Sequence, residues 1–198
     1  MHFFEFYKTE ISKLLNCDPS ILKFWWNKNE LITGEYIVYQ TEILDWDHKR
    51  SIDYFEFMNR AKVVYDYSVT NLKWNPRSIF RPYLPNIPST VNDRSKDIEV
   101  LFYGGLSDRR KGLIEKLSKT YNVIAIERFS SMQEQEDMIT RSKYILSIGF
   151  ADNDHNDLFR ITPALNLGAN ILAEHNNEIW TMDYLNKYFK DRIKIIDI

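Results

Sequence analysis

One cysteine, Cys17, in 198 residues excludes an intramolecular disulfide framework and a thiolate-built zinc site, and fits a reducing, cytoplasmic setting. Charge of one sign is missing too: the formal net charge is −2, which argues against a general nucleic-acid binder with a strongly basic face. No apolar run is long enough to span a bilayer. The N-terminus, MHFFEFYKTEISKLL, carries acids and lysines among its apolar residues, so it reads as neither signal peptide nor membrane span. There is no internal repeat and no low-complexity segment. With neither a Gly-x-Gly-x-x-Gly fingerprint nor a P-loop Gly-Lys-Ser/Thr, a dehydrogenase or an NTPase is disfavoured.

What is present is a chain that can build a core, with 44% hydrophobic and 15% aromatic residues. Phe3, Tyr7, Ile11 and Leu14 recur at helical spacing, which predicts a helix over 2–16. Asp18-Pro19 predicts a capped second helix running through Phe24 to Trp26. Strands are expected at 36–40, 62–66 and 78–84, with a helix over 50–60 and a short one near Asn71. Residues 85–97, PNIPSTVNDRSKD, are polar and turn-rich and read as a linker. Beyond it strands and helices alternate. Strands are expected at 98–103, 122–126, 144–148, 170–173 and 193–196. Helices are expected at 108–119, 131–141, near 163–167 and near Tyr184. Such alternation implies a Rossmann-like, doubly wound parallel sheet, and apolar runs such as VIAI and YILSI suit strands covered on both faces. The division expected is 1–88 as a reduced α/β half and 89–198 as the parallel-sheet half.

VLFYGGLSDRRKG, residues 100–112, carries the chemistry. In an open parallel sheet ligands bind outside the carboxyl ends of the strands. Gly104 and Gly105 follow the first strand of the second half and lack a Cβ, so a ligand backbone can approach. Ser107 or Asp108 can cap the next helix, whose positive dipole end faces the turn. Arg109, Arg110 and Lys111 in its first turn oppose that dipole, and something must offset the cost. A bound diphosphate does so through charge-assisted bonds, and a solvated basic patch is the alternative. Thr162-Pro163 reads as the start of a short helix ended by Gly168, its N-terminus facing the same sheet edge. Asp157 and Arg160 lie just before it, as donor-side groups or as an ion pair holding a loop.

VLFYGGLSDRRKGLIEKLSK, DMITRSKYILSIGF and DLFRITPALNLGANILAE together resemble the C-terminal domain of GT-B glycosyltransferases. YIVYQTEIL and AKVVYDYSVTNLKW resemble the tail of that family's N-terminal domain, and the likeness covers about residues 36–196. It implies a donor site for a nucleotide diphosphate sugar of the UDP or GDP type. The donor residues implied are Gly104, Gly105, Arg109, Arg110, Lys111, Asp157, Arg160, Thr162 and Glu174. It also implies a glycan or glycoconjugate acceptor and no metal or other cofactor. The pair of glutamates that many retaining members carry is absent, Pro163 standing where the second would fall.

An inverting transferase needs a general base for the acceptor hydroxyl. Glu42, Asp45, His48 and Asp66, at or after strand ends of the first half, are the candidates, each with a capping or surface role as its alternative. ADNDHND, residues 151–157, holds one histidine among acids and reads as a polar turn before it reads as a metal site. Trp25, Trp26, Trp46 and Trp74 suit either an acceptor platform or core packing. A non-catalytic nucleotide-binding module is the competing functional reading. A flavodoxin-like or response-regulator-like signalling domain is more distant, because it needs an acidic cluster and a phosphoacceptor at strand ends where this chain has a basic turn.

Overall fold

Tyr7, Ile11 and Leu14 fall on the first helix of the computed structural model, α1 (Phe3–Leu15), and Ile11 is fully buried. The structure describes residues 3–24, 31–41, 52–82, 95–150, 157–175, 179–189 and 191–197. The expected second helix is not there at its start. The Asp18 carboxylate accepts from the Ser20 amide at 2.8 Å, an Asx turn, and the chain enters strand β1 (Leu22–Lys23) at once. Aspartate and proline open turns as readily as helices, and here the turn wins.

By contact density the chain divides into two compact units, Met1–Leu84 and Pro85–Ile198. In the first, β2 (Ile37–Gln40), α2 (Ile52–Arg60), β3 (Val63–Asp66) and β4 (Ile79–Phe80) follow β1. A short 3₁₀ segment, Thr70–Lys73, lies between β3 and β4. The four strands pair in parallel in sequence order. Their core joins Tyr36, Val38 and Val64 to Phe57, Met58 and Ala61 around α2. Tyr36 stacks on Phe57 at 5.3 Å and donates its hydroxyl to the Phe57 carbonyl, so a buried polar atom is satisfied inside the apolar cluster.

The second unit runs β5 (Ile98–Tyr103), α3 (Asp108–Leu117), β6 (Val123–Ile126), α4 (Met132–Arg141), β7 (Ser142–Ser147), α5 (Leu158–Asn166), β8 (Asn170–Glu174), α6 (Ile179–Tyr188) and β9 (Ile193–Ile196). All its pairings are parallel, in the order β6-β5-β7-β8-β9. The strand order is 2-1-3-4-5, compatible with a Rossmann-like α/β fold, and the order of the strands reverses between β5 and β7. Val100, Leu101 and Phe102 of the central β5 are all fully buried, each worth roughly 1.5 to 3 kcal/mol of apolar burial. Val100 and Phe102 share a cluster with Leu113, Ile114 and Leu117 of α3. α4 and α5 contact β5, β7 and β8.

Two expectations change here. YILSI is covered as expected, but VIAI is the edge strand β6, and Ile124 is 37% exposed. An apolar run of four cannot tell a central strand from an edge one. The helix expected near 163–167 begins five residues earlier, at Leu158. Leu158, Ile161 and Leu165 recur at helical spacing and are buried, and that periodicity outweighs the Thr-Pro capping signal. Thr162 therefore caps nothing: it is buried mid-helix and donates to the Leu158 carbonyl. Pro163 sits within α5, where its missing N–H withholds one helical bond.

The far end of α5 closes as the sequence implies. Gly168 has a φ of +87°, its amide bonds the Leu165 carbonyl and the Ala169 amide bonds that of Ala164. Arg192 donates to the carbonyls of Leu165 and Ala169, and Lys96 to those of Gly168 and Thr140. Cations thus meet the negative helix end. Burial pulls the Lys96 ammonium below its ordinary pKa. Among the described residues no helix is long and apolar enough to cross a membrane.

Candidate functional site

The reversal of strand order puts the ends of β5 and β7 side by side, and the chain leaves both through glycine. After Tyr103, Gly104 takes a φ of +124°, a conformation side chains disfavour, and its amide bonds the Ile126 carbonyl. A Cβ there would lie 2.7 Å from Nη2 of Arg160, so a side chain at this position would have to displace that guanidinium. Gly105 is less constrained, because a Cβ would meet only Phe150 Cε2, at 3.7 Å.

Ser107 is the N-cap of α3. Its Oγ accepts from the Arg110 amide at 3.3 Å and donates to the Phe150 carbonyl at 2.9 Å, tying the helix start to the segment after β7. The two arginines of the first turn reach the same segment. Arg110 is buried and donates from Nε to the Gly149 carbonyl, from Nη2 to Ile148 and from Nη1 to Gly105, at 3.2, 2.9 and 2.8 Å. Its guanidinium also lies between the rings of Phe102 and Phe150, at 5.4 and 5.2 Å. Arg109 pairs with Glu174 at the end of β8 through Nη1 and Nη2, and donates to the Gly149 carbonyl at 3.1 Å. Glu174 in turn accepts the Gly149 amide at 3.0 Å. The cost of two cations at a helix N-terminus is therefore offset inside the fold, by a carboxylate 65 residues away and by four carbonyl contacts. Lys111 stands apart: it is exposed and lies 3.6 Å from an exposed Asp108 carboxylate, an ion pair that contributes little.

Arg160 completes the edge. Only 4% of it is exposed. Phe102 and Tyr103 flank its guanidinium at 5.0 and 5.5 Å, and Nη2 is 3.5 Å from the half-exposed Asp157 carboxylate. Asp157 opens α5, its carbonyl accepting the amides of Arg160 and Ile161. The Tyr103 hydroxyl donates to the Arg160 carbonyl at 3.3 Å, and burial drives that phenol far above its ordinary pKa.

The structure thus brings together, at one sheet edge, Gly104, Gly105, Arg109, Arg110, Asp157, Arg160 and Glu174, while Thr162 is spent inside α5. Of the base candidates, Glu42, Asp45 and His48 lie outside the described residues. So do 151–156 of the ADNDHND turn, and Trp25, Trp26 and Trp46. Asp66, at the end of β3, is fully buried, and its Oδ1 accepts from the Ser68 amide and Asn71 Nδ2 at 3.0 and 2.9 Å. That is a turn-capping role. Trp74 is 36% exposed and carries Lys73 Nζ at 5.1 Å from its ring centre. Gly149 and Phe150 were not among the residues expected. Their signal was the SIGF ending of β7, legible only once β7 is known to neighbour β5.

Among the described residues no group of three or more metal-ligating side chains comes together. No protein-family model, no curated protein and no solved structure matches this chain at a significant level.

Proposed function

We propose that the protein is a glycosyltransferase that takes a sugar from a nucleoside diphosphate sugar and passes it to a hydroxyl of a glycan or glycoconjugate, without a catalytic metal. The observation that supports it is the carboxyl edge of β5 and β7. There the switch point of a parallel sheet, a glycine turn without room for a Cβ, a helix N-terminus and buried guanidiniums coincide. A diphosphate is the chemical group this combination suits: the helix N-terminus and the guanidiniums balance its charge. The acceptor oxygen would bond to the anomeric carbon as the bond to the nucleoside diphosphate breaks, the nucleoside diphosphate leaving, and a carboxylate or histidine base would take the acceptor proton. A binding module without transfer is the second reading. It is favoured by the burial of Asp66, the one base candidate within the described residues, in a turn-capping role.

Incubation with a matched UDP- or GDP-sugar and an acceptor panel, followed by assay of released nucleoside diphosphate, tests this. Release is expected, and chelators should leave its rate unchanged. Tight nucleotide binding with no release for any donor and acceptor contradicts the transferase reading and leaves the module. Activity abolished by chelator and restored by a divalent ion contradicts metal independence.

A further inference from the structure

We infer that Arg160, and not the arginine pair after the glycine turn, is the residue that takes the oxyanion of the ligand, the class being a phosphoryl oxyanion of pyrophosphate or of a nucleoside diphosphate. The inference rests on the diphosphate reading of this edge and divides the labour within it. A guanidinium has five N–H donors in a planar fork. Arg110 spends its donors on three backbone carbonyls, and Arg109 on Glu174 and the Gly149 carbonyl. Those bonds hold the ends of β5, β7 and β8 to the start of α3. Arg160 is different. It is as deeply buried, yet its Nε and Nη1 have no hydrogen-bond partner among the described residues, and its carboxylate neighbour reaches only Nη2, at 3.5 Å.

A buried charge with unspent donors is costly, and the two aromatic faces beside it recover only part of that cost. The fold nevertheless holds it firmly. The Tyr103 hydroxyl is fixed on the Arg160 carbonyl, and Gly104 forgoes a side chain to make room for Nη2. Two buried, unpartnered donors, a glycine turn and a helix N-terminus lie at one strand end, a combination that suits an oxyanion. Binding one would supply acceptors for Nε and Nη1 in a water-poor setting, where charge-assisted bonds are strong.

Calorimetric titration of the full chain with pyrophosphate and with UDP, in chloride buffer, tests this on the wild type and on Arg160→Met, Arg160→Lys and, in the last turn of α3, Lys116→Met. Arg160→Met keeps the packed stem and removes the fork. It should weaken both ligands at least tenfold, while the ligand-free melting temperature stays or rises, which a merely structural arginine would not allow. Arg160→Lys keeps the charge, guards against a variant that does not fold, and should still weaken binding about fivefold or more. Lys116→Met, exposed at the far end of α3, should change affinity less than threefold. Wild-type affinity in both Arg160 variants overturns the inference, and with UDP still bound it leaves the transferase reading standing. Arg160-dependent binding of pyrophosphate with no preference for UDP supports the inference and removes the transferase reading. No binding of either ligand to the wild type overturns both.

Discussion

Glu174→Ala should destabilise the protein by about 3 kcal/mol, because it strips the largely covered Arg109 of its counter-ion. Glu174 is 12% exposed at its side chain and Arg109 22%, so solvent replaces little of what is lost. The same carboxylate accepts the Gly149 amide, which would lose its partner as well. A loss of that size lowers the melting temperature of a domain this large by about 10 °C. The pairing itself is separable from the burial. Arg109→Met with Glu174→Leu, which removes both charges and keeps apolar volume, should cost clearly less than Glu174→Ala alone. Urea unfolding of the two variants checks this. Equal stability of Glu174→Ala and wild type would mean that the pair does not hold β8 to α3.

Arg110→Met should cost about as much, roughly 3 kcal/mol, by a different route. Methionine keeps the stem between Phe102 and Phe150 but donates nothing. The carbonyls of Gly105 and Ile148 then lose this donor, at about 1 to 3 kcal/mol for each that water does not reach, while that of Gly149 keeps Arg109. Lys111→Met, one residue on and exposed, should shift stability by less than about 0.5 kcal/mol. Thermal melts of the pair decide between a structural run, in which all three basic residues matter alike, and the division seen here. If Arg110→Met melts like the wild type, the carbonyl contacts contribute nothing and the arginine belongs to the ligand after all.

Most elements were legible in the sequence, because period and burial agree. The helical spacing of Tyr7, Ile11 and Leu14 gives α1, and the capped run from Ser131 gives α4, with the Glu134 amide on Ser131 Oγ. The Glu134 carboxylate, however, accepts the amide of Ser130, one residue before the N-cap that a capping box would engage. The errors lie where two local signals compete. Asp18-Pro19 serves turn and helix start alike, and at 157–168 a Thr-Pro cap stood against an apolar repeat that began earlier.

The site was half legible for a physical reason. That cations at the start of α3 need an offset follows from the dipole alone. That the offset is Glu174 depends on a contact 65 residues away, which only the sheet order creates. Arg160 and Glu174 entered by resemblance as equal donor-side residues. In the structure one is spent on Arg109 and the other keeps open donors. Glycine at 104 was expected for backbone approach, and the guanidinium against which it leaves no room has no local sequence signal.

The most direct test of the central claim is where a nucleoside diphosphate binds. Amide chemical-shift mapping of the full chain, titrated with UDP and GDP, measures it. The largest changes are expected on Gly104, Gly105, Ser107, Gly149 and Phe150, with side-chain changes at Arg160, while β6 and β9 stay still. Changes centred elsewhere in the chain, or none with either nucleotide at millimolar concentration, would contradict it.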